Sequence, residues 1–149
     1  MNNNLDVQTK DNQGRNCLFY LMAIPNNKDN LIDQLTLCSL LLGRQIKINY
    51  MDNNGISLMM KAINKGYIYI MNTLIKYGGD VNIVNPNDGN TAFHYAILRE
   101  NRDALFILLS KGHCDLSIKN NHNNEIAIDF LFSIKFIYSM NKYKKCPNK

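Results

Sequence analysis

The sequence predicts an all-α solenoid, in which helix–turn–helix repeats stack in a row and are joined by β-turn or hairpin-like connections. The first observation behind this prediction is a duplication. The stretch that begins at Asp52 reads DNNGISLMMKAINKG, and the stretch that begins at Asn87 reads NDGNTAFHYAILREN. The second observation is a constant spacing of 34 residues between four landmarks of a turn and a helix pair: Gly55 and Gly89, Ser57 and Thr91, Ala62 and Ala96, Gly78 and Gly112.

The two central repeats have the clearest helical pattern. In each, a glycine-containing turn precedes a hydroxyl residue, Ser57 or Thr91, that is placed to cap a helix. Gly66 separates the two helices of one repeat, and Gly78 and Gly112 are placed to end the second helices. Apolar residues at helical spacing predict the buried positions: Met59, Ala62, Ile63, Ile70, Met71, Leu74 and Ile75, then Phe93, Ala96, Ile97, Ala104, Leu105, Leu108 and Leu109.

The first and last repeats depart from this plan. Residues 11–22, DNQGRNCLFYLM, match the turn and first helix, but 41 residues separate Asp11 from Asp52, and we place the excess in the polar loop Pro25–Asn30. The repeat from Asn120 lacks the glycine, and Ile126 stands where a capping hydroxyl belongs. Terminal repeats are often atypical because they cover the end of the stack. We expect one domain with repeats at about 11–51, 52–85, 86–119 and 120–140, then a disordered basic tail at 141–149.

The composition is that of a folded chain without a membrane span. Hydrophobic residues make up 46% of the 149 residues and charged residues 19%. The most apolar run, 126–140, is interrupted by Asp129 and Lys135, and the N-terminus lacks the pattern of a signal peptide. The four cysteines form no CxxC pair, and Cys17 and Cys38 are predicted core positions. We therefore expect reduced thiols and a cytoplasmic chain, with the nucleus as the alternative.

The chain is also rich in asparagine, lysine and isoleucine. Such a bias is typical of an AT-rich genome, and the asparagines are assigned no role of their own.

The repeated residues resemble the ankyrin repeat family, whose pattern contains T-P-L-H-x-A at the start of the first helix. The matching stretches are TAFHYA at 91–96 and, more weakly, SLMMKA at 57–62, and the family's leucine-rich exit is similar to LIKYGGDVN at 74–82. No repeat has the proline of the motif, and the histidine occurs only as His94. The resemblance covers residues 10–140 and implies a non-catalytic fold that binds other proteins.

The resemblance also implies where a partner would bind. In the family the turn tips and the exposed side of each first helix form a concave face. Three of the positions are apolar, Met51, Ile56 and Leu98, and whether they are exposed or packed is left open here. The implied binding positions are Asn12, Gln13 and Arg15 in the first repeat, Met51, Asn53, Asn54, Ile56, Asn64 and Lys65 in the second, and Asn87, Asp88, Asn90, Leu98 and Arg99 in the third.

Catalytic and metal chemistry have little support in the sequence. His94 is interpreted as the structural histidine of the motif, bonded to Thr91 and to a neighbouring turn. His113, Cys114 and His122 lie close together, but adjacent residues point in different directions and no Cys pair accompanies them, so turn residues are the preferred interpretation over zinc. No nucleotide-binding or nucleophile motif is present, and no cofactor is predicted. Tyr67 and Tyr69 are expected to pack against neighbouring repeats.

The predicted function is a monomeric interaction scaffold that presents the concave face to a protein. The alternatives are a regulatory inhibitor of a partner enzyme such as a kinase, and the ankyrin part of a larger enzyme such as a palmitoyltransferase. The net charge of +5 raises nucleic acid as a partner, but the lysines are spread along the chain, so this alternative is disfavoured.

Overall fold

A computed structural model describes residues 6–25, 27, 29–111, 113–122 and 124–129 of the chain. These residues form six helices, and residues 127–129 are helical as well. Two isolated antiparallel bridges, Met51 to Ser57 and Lys119 to Ile126, close hairpin-like connections, and no strand occurs in the described ranges. The helices are α1 (Cys17–Leu21), α2 (Leu31–Gly43), α3 (Leu58–Lys65), α4 (Ile68–Lys76), α5 (Ala92–Leu98) and α6 (Arg102–Lys111).

The helices are arranged in two layers, as a stack of helix pairs requires. The inner layer places α3 between α1 and α5, and the outer layer places α4 between α2 and α6. Within each repeat the first helix packs on the second, so one apolar core runs through all three pairs. Residues with almost no solvent exposure in this core include Leu18, Met22, Cys38, Met60, Ala62, Met71, Leu74, Ala96 and Leu108. The predicted all-α solenoid is confirmed.

Each inner helix begins at a side-chain cap. The Asn16 side chain accepts the N–H of Leu18, and the Ser57 hydroxyl accepts the N–H of Met60 at 3.2 Å. Met60 returns the contact, since its sulfur accepts the Ser57 N–H at 3.4 Å. Thr91 is the cap residue of α5, as its position predicts. These caps satisfy amides that have no partner inside a helix, and they start the inner helices at equivalent places.

The turn tips of neighbouring repeats are joined by asparagines. Asn53 donates from its backbone N–H to Gln13 O and from Nδ2 to Asn12 O, both at 2.9 Å. Asn87 Nδ2 donates to Asn54 O at 2.9 Å, and the backbone N–H of Asn121 donates to Asp88 O at the same distance. We call these contacts the tip ladder. The tip ladder fixes each turn on the backbone of the one before it.

A second set of amide contacts joins the repeats just after the outer helices end. Asn49 donates through Nδ2 to Gly78 O at 2.9 Å and accepts the Asp80 N–H through Oδ1 at 2.7 Å. In the same way, the Asn82 amide donates to the carbonyl at 113 and accepts the N–H at 115. The Gln8 amide donates to the carbonyl at 45 and accepts the N–H at 47. Several asparagines therefore have a structural role that the composition did not reveal.

The insertion in the first repeat lies where the sequence placed it. Nine residues separate α1 from α2, whereas two separate α3 from α4. The carbonyl of Ile24 anchors this loop, because it accepts hydrogen bonds from the Tyr67 hydroxyl at 2.6 Å and from Gln34 Nε2 at 2.9 Å. The second repeat thus holds the loop of the first.

Three expectations about burial were wrong. Leu109 is 58% exposed and Tyr69 is 58% exposed, although both were placed against neighbouring helices. Each lies in an almost continuous apolar run, 104–109 or 67–71, in which spacing alone does not define a face. Cys17 is exposed at the start of α1, whereas Cys38 is buried as expected.

Some sequence expectations lie outside the described residues. They are the helix-ending role of Gly112, the repeat beyond Asp129 and the tail at 141–149.

The turn glycines combine two demands, a left-handed backbone and a close neighbour. Gly55 has φ +72, and a Cβ on it would lie 2.8 Å from Pro86 Cδ and closer still to the Asn85 amide oxygen. Gly14 and Gly89 have the same left-handed φ, and their added Cβ atoms would meet Asn53 and Asn121 of the following turn. Only glycine meets both demands, because a side chain is disfavoured at positive φ and has no room here.

We expect Gly55→Ala to lower the free energy of unfolding by more than Gly66→Ala. Both glycines have φ near +71, so both variants should lose about 1–2 kcal/mol from the left-handed backbone. Only the alanine at 55 would also push the next turn away, since nothing lies within 4 Å of the Cβ position at Gly66. Urea unfolding of the two variants measures the difference. Equal losses would mean that the turns do not need their close approach.

Candidate functional site

The turn tips and the inner helices form one connected surface, because tyrosines join them. The Tyr20 hydroxyl donates to Asp11 Oδ2 at 2.6 Å, and the Tyr95 hydroxyl donates to Asp88 Oδ2 at 2.7 Å. Each tyrosine lies in an inner helix and each aspartate in the turn that precedes it. The surface predicted as the concave face is therefore continuous from tip to helix. We keep that name for the turn tips at 11–15, 52–56 and 85–90 together with the exposed sides of α1, α3 and α5.

The proposed binding positions lie on the concave face, and their side chains differ in solvent exposure. The exposed positions are Asn12, Gln13, Asn53, Asn54, Lys65, Asn87, Leu98 and Arg99, and the half-buried ones are Arg15, Met51, Ile56, Asn64 and Asp88. Asn53 and Asn87 also belong to the tip ladder, so their side chains are held in place before any partner arrives.

Asn90 does not present its side chain to solvent, and its inclusion in the exposed set is corrected here. It is 5% exposed. Its carbonyl accepts the N–H of Asn85 at 2.9 Å, and its own N–H donates to Asp88 Oδ1. These two bonds turn Asn90 into the closing residue of its turn.

The three apolar positions of the concave face also differ in solvent exposure. Leu98 is 46% exposed at the end of α5. Ile56 is half-buried and packs against the core, and Met51 is half-buried in a bridge with Ser57. Leu98 is thus the apolar side chain that a partner can reach most easily.

Beside Leu98, a polar contact crosses from one repeat to the next. Arg99 donates through Nε to Asn64 Oδ1 at 3.0 Å. Asn64 lies on α3 and Arg99 at the end of α5, so this bond links two of the proposed binding positions across the repeat boundary. It orients the guanidinium on the concave face.

The turn carboxylates are engaged with their own repeats. In the first turn, Asp11 Oδ2 accepts from Tyr20 and from Arg15, which lies 2.7 Å away, and these bonds hold the pKa of Asp11 below its usual range. In the third, burial favours the protonated form of Asp88, but the bonds from Tyr95 and Asn90 outweigh it and lower the pKa. Both carboxylates are therefore ionised and used to shape the turns.

His94 is a structural residue in this geometry. It is 1% exposed, and its Nδ1 accepts the Thr91 N–H at 3.2 Å and lies 2.9 Å from the Thr91 hydroxyl. Because Nδ1 is an acceptor, the proton of the neutral ring lies on Nε2. Burial lowers the pKa of His94, and the nearby backbone of Glu125 in the next turn opposes that shift. The ring is thus held neutral between two repeats, out of reach of solvent substrates.

The residues considered for zinc are not grouped as metal ligands in the part of the chain that the structure describes. No group of three or more His, Cys, Asp or Glu side chains in the described ranges is placed to hold an ion. His113 and His122 are exposed, and Cys114 is half-buried with its sulfur directed to the carbonyl of Leu108 at 3.4 Å.

The outer helices expose apolar side chains that the sequence did not single out. Ile32 and Leu40 of α2 are 74% and 62% exposed, and Phe106 of α6 is 72% exposed. Helical spacing could have found Ile32 and Leu40, which lie eight residues apart on one side of α2.

Comparison with known proteins decides the family. A family model described as ankyrin repeats, in three copies, matches residues 21–120, which is more than half of the chain.

The chain belongs to the ankyrin repeat family.

Relatives in two organisms agree with this membership. The chain is 27% identical over 124 residues to putative ankyrin repeat protein L371 of Acanthamoeba polyphaga mimivirus, a match that covers 80% of this chain and 15% of the relative. It is 32% identical over 65 residues to BCL-6 corepressor-like protein 1 of Homo sapiens, which covers 44% of this chain and 4% of the relative. The match thus spans a small part of either relative. Ankyrin repeats are generally non-catalytic protein-binding modules. No described helix is long and apolar enough to cross a membrane.

We expect the stability of this ankyrin chain to fall as the pH drops below about 6.5, the ordinary pKa of histidine. As the pH falls, the unfolded chain binds a proton on His94 at a higher pH than the folded chain does. The contribution of the neutral ring to stability is therefore fully present above that pH and is lost progressively below it. The decline should level off once the folded state also binds the proton. Urea unfolding between pH 7.5 and 5 measures this slope.

His94→Gln supplies the comparison, because glutamine can serve in a capping box but does not titrate. Its slope between pH 7.5 and 5 should be flatter than that of the parent chain. The exposed His113→Asn should keep the parent slope, and asparagine tolerates the positive φ of 50 at that position. An unchanged slope in His94→Gln would show that the buried ring does not set the pH dependence.

Proposed function

We propose that the chain is a non-catalytic interaction scaffold that binds a protein partner on its concave face. The observation that carries this proposal is the exposed Leu98 beside the Arg99–Asn64 bond. An accessible apolar side chain within a polar surround is typical of the centre of a protein interface. General binding of proteins by ankyrin repeats supports the same assignment.

The rigidity of the concave face favours binding. The tip ladder and the tyrosine–aspartate bonds hold the tips and inner helices before a partner arrives. A surface that is already ordered loses little conformational entropy when it binds, and this raises affinity.

Inhibition of a partner enzyme would be one consequence of such binding, and no residue in the described ranges favours a kinase over another enzyme. Likewise, no described residue favours the alternative that the chain is the ankyrin part of a larger enzyme. The name of the human relative describes it as corepressor-like. That description applies to the relative, of which the match covers 4%.

A charge at Leu98 should abolish partner capture without lowering the melting temperature. Exposed substitutions usually change stability by less than about 0.5 kcal/mol, so Leu98→Asp should fold normally and fail only at the interface. Affinity capture with the parent chain first identifies bound proteins by mass spectrometry, and binding of the same proteins to the variant is then measured.

The matched control is Leu109→Asp, which alters an exposed leucine on the outer helix α6. It should retain the captured proteins. If capture is instead lost in Leu109→Asp and kept in Leu98→Asp, the outer helices are the interface. Ile56 is unsuitable for this test, because a charge there would disturb the core against which it packs.

A further inference from the structure

Among the inner helices α1, α3 and α5, α3 carries two lysines and none of the three carries a negative charge. Lys61 and Lys65 lie on α3 four residues apart, and therefore on one side of the helix, and Arg99 follows the end of α5. Asp33 and Asp103 lie on the outer helices α2 and α6, Asp129 lies in the helical residues 127–129, and Glu100 directly follows Arg99.

Lys61 occupies a position that has a different role in the neighbouring repeats. The equivalent residues are Tyr20 and Tyr95, whose hydroxyls are bonded to the carboxylates of their own turns. Lys61 is half-buried and, in the described part of the chain, neither it nor Lys65 pairs with a carboxylate. The middle repeat thus carries, on its inner helix, two lysines that have no carboxylate partner among the described residues.

The third cation is oriented by its neighbour. Arg99 bonds to Asn64 through Nε, so this contact does not use the two terminal nitrogens of its guanidinium. A planar guanidinium held in this way can bind a carboxylate through two parallel hydrogen bonds. Leu98 precedes it and supplies the apolar contact.

The carboxylates of the tips do not neutralise these cations. Asp11 pairs with Arg15, and Asp88 accepts from Tyr95 and from the turn backbone. Asp52 accepts the N–H groups of Asn54 and Ile56 through one oxygen. The turn carboxylates thus take part in bonds within their own turns and repeats, and none of them pairs with Lys61, Lys65 or Arg99 in the described ranges.

We propose that the partner of the concave face is an acidic, extended peptide segment with an apolar side chain next to its carboxylates. This proposal rests on the proposed function and names the chemistry of its partner. Carboxylates of the segment bind Lys61, Lys65 and Arg99, and the apolar side chain packs on Leu98.

Two other occupants fit less well. Nucleic acid would also be attracted by cations, but specific binders commonly neutralise about 6–10 phosphates, and this cluster has three cations among neutral asparagines. A second copy of the chain is disfavoured because each copy carries a net charge of +5.

Selection of random twelve-residue displayed peptides on the immobilised full chain tests the proposal. We expect the selected peptides to be enriched in Asp and Glu next to an apolar residue. The double variant Lys61→Glu/Lys65→Glu should weaken binding of the synthetic selected peptides about tenfold or more, since two attractive charges become repulsive. Lys61→Gln/Lys65→Gln should give a smaller loss, and circular dichroism checks that each variant is folded.

The matched control is Lys76→Glu/Lys111→Glu, which makes the same change in net charge at lysines that line one surface depression between α4 and α6. It should leave the peptide Kd within about twofold. If both double variants weaken peptide binding equally, the effect comes from the net charge of the chain, and the proposal is overturned. So would selected peptides without acidic enrichment, or tighter binding of a single-stranded oligonucleotide through Lys61 and Lys65.

The two proposals fail separately. If Leu98→Asp abolishes binding while the lysine variants bind normally, the concave face is the interface and its partner is not acidic. If neither change affects binding, the concave face is not the interface.

Discussion

The close approach of neighbouring turns is the constraint on which the rest of the structure depends. At Gly14, Gly55 and Gly89 the following turn occupies the space where a Cβ would stand. The tip ladder forms only at this separation, because hydrogen bonds of 2.9 Å cannot follow a turn that moves outward. The layers of helices below take their spacing from these contacts and from the apolar core that they enclose.

Polar bonds within each repeat then carry this order from the turn to the surface of the inner helix. In the first and third repeats a tyrosine joins the helix to a turn carboxylate. In the second repeat the half-buried Lys61 occupies that position, and it forms no ion pair with a carboxylate of the described residues. A single change of residue type at one repeated position thus turns a structural contact into a charged surface.

Much of the fold could be predicted from the sequence, because period, cap and glycine are local signals. Ser57, Thr91 and Gly89 lie within a few residues of the elements that they define. The asparagine contacts could not be predicted, because Asn49 and Gly78 are 29 residues apart and residue type does not name a distant partner. Burial was misjudged at Leu109 and Tyr69, where runs of apolar residues give no preferred face. At the candidate site, Leu98 was recognised as apolar, but its exposure depends on where α5 ends. Asn90 is buried because it closes a turn that is one residue longer than the equivalent turn at 52–56.

The contacts made by Gln8, Asn49, Asn53, Asn82 and Asn87 have a property that bears on how such a chain can change over generations. In every case the side chain meets a backbone N–H or C=O of the adjoining repeat. At these contacts each repeat therefore binds its neighbour through the backbone, whatever side chains the neighbour carries there. This part of the interface between repeats can persist when a unit is duplicated or exchanged, provided that the apolar packing and the turn glycines are kept.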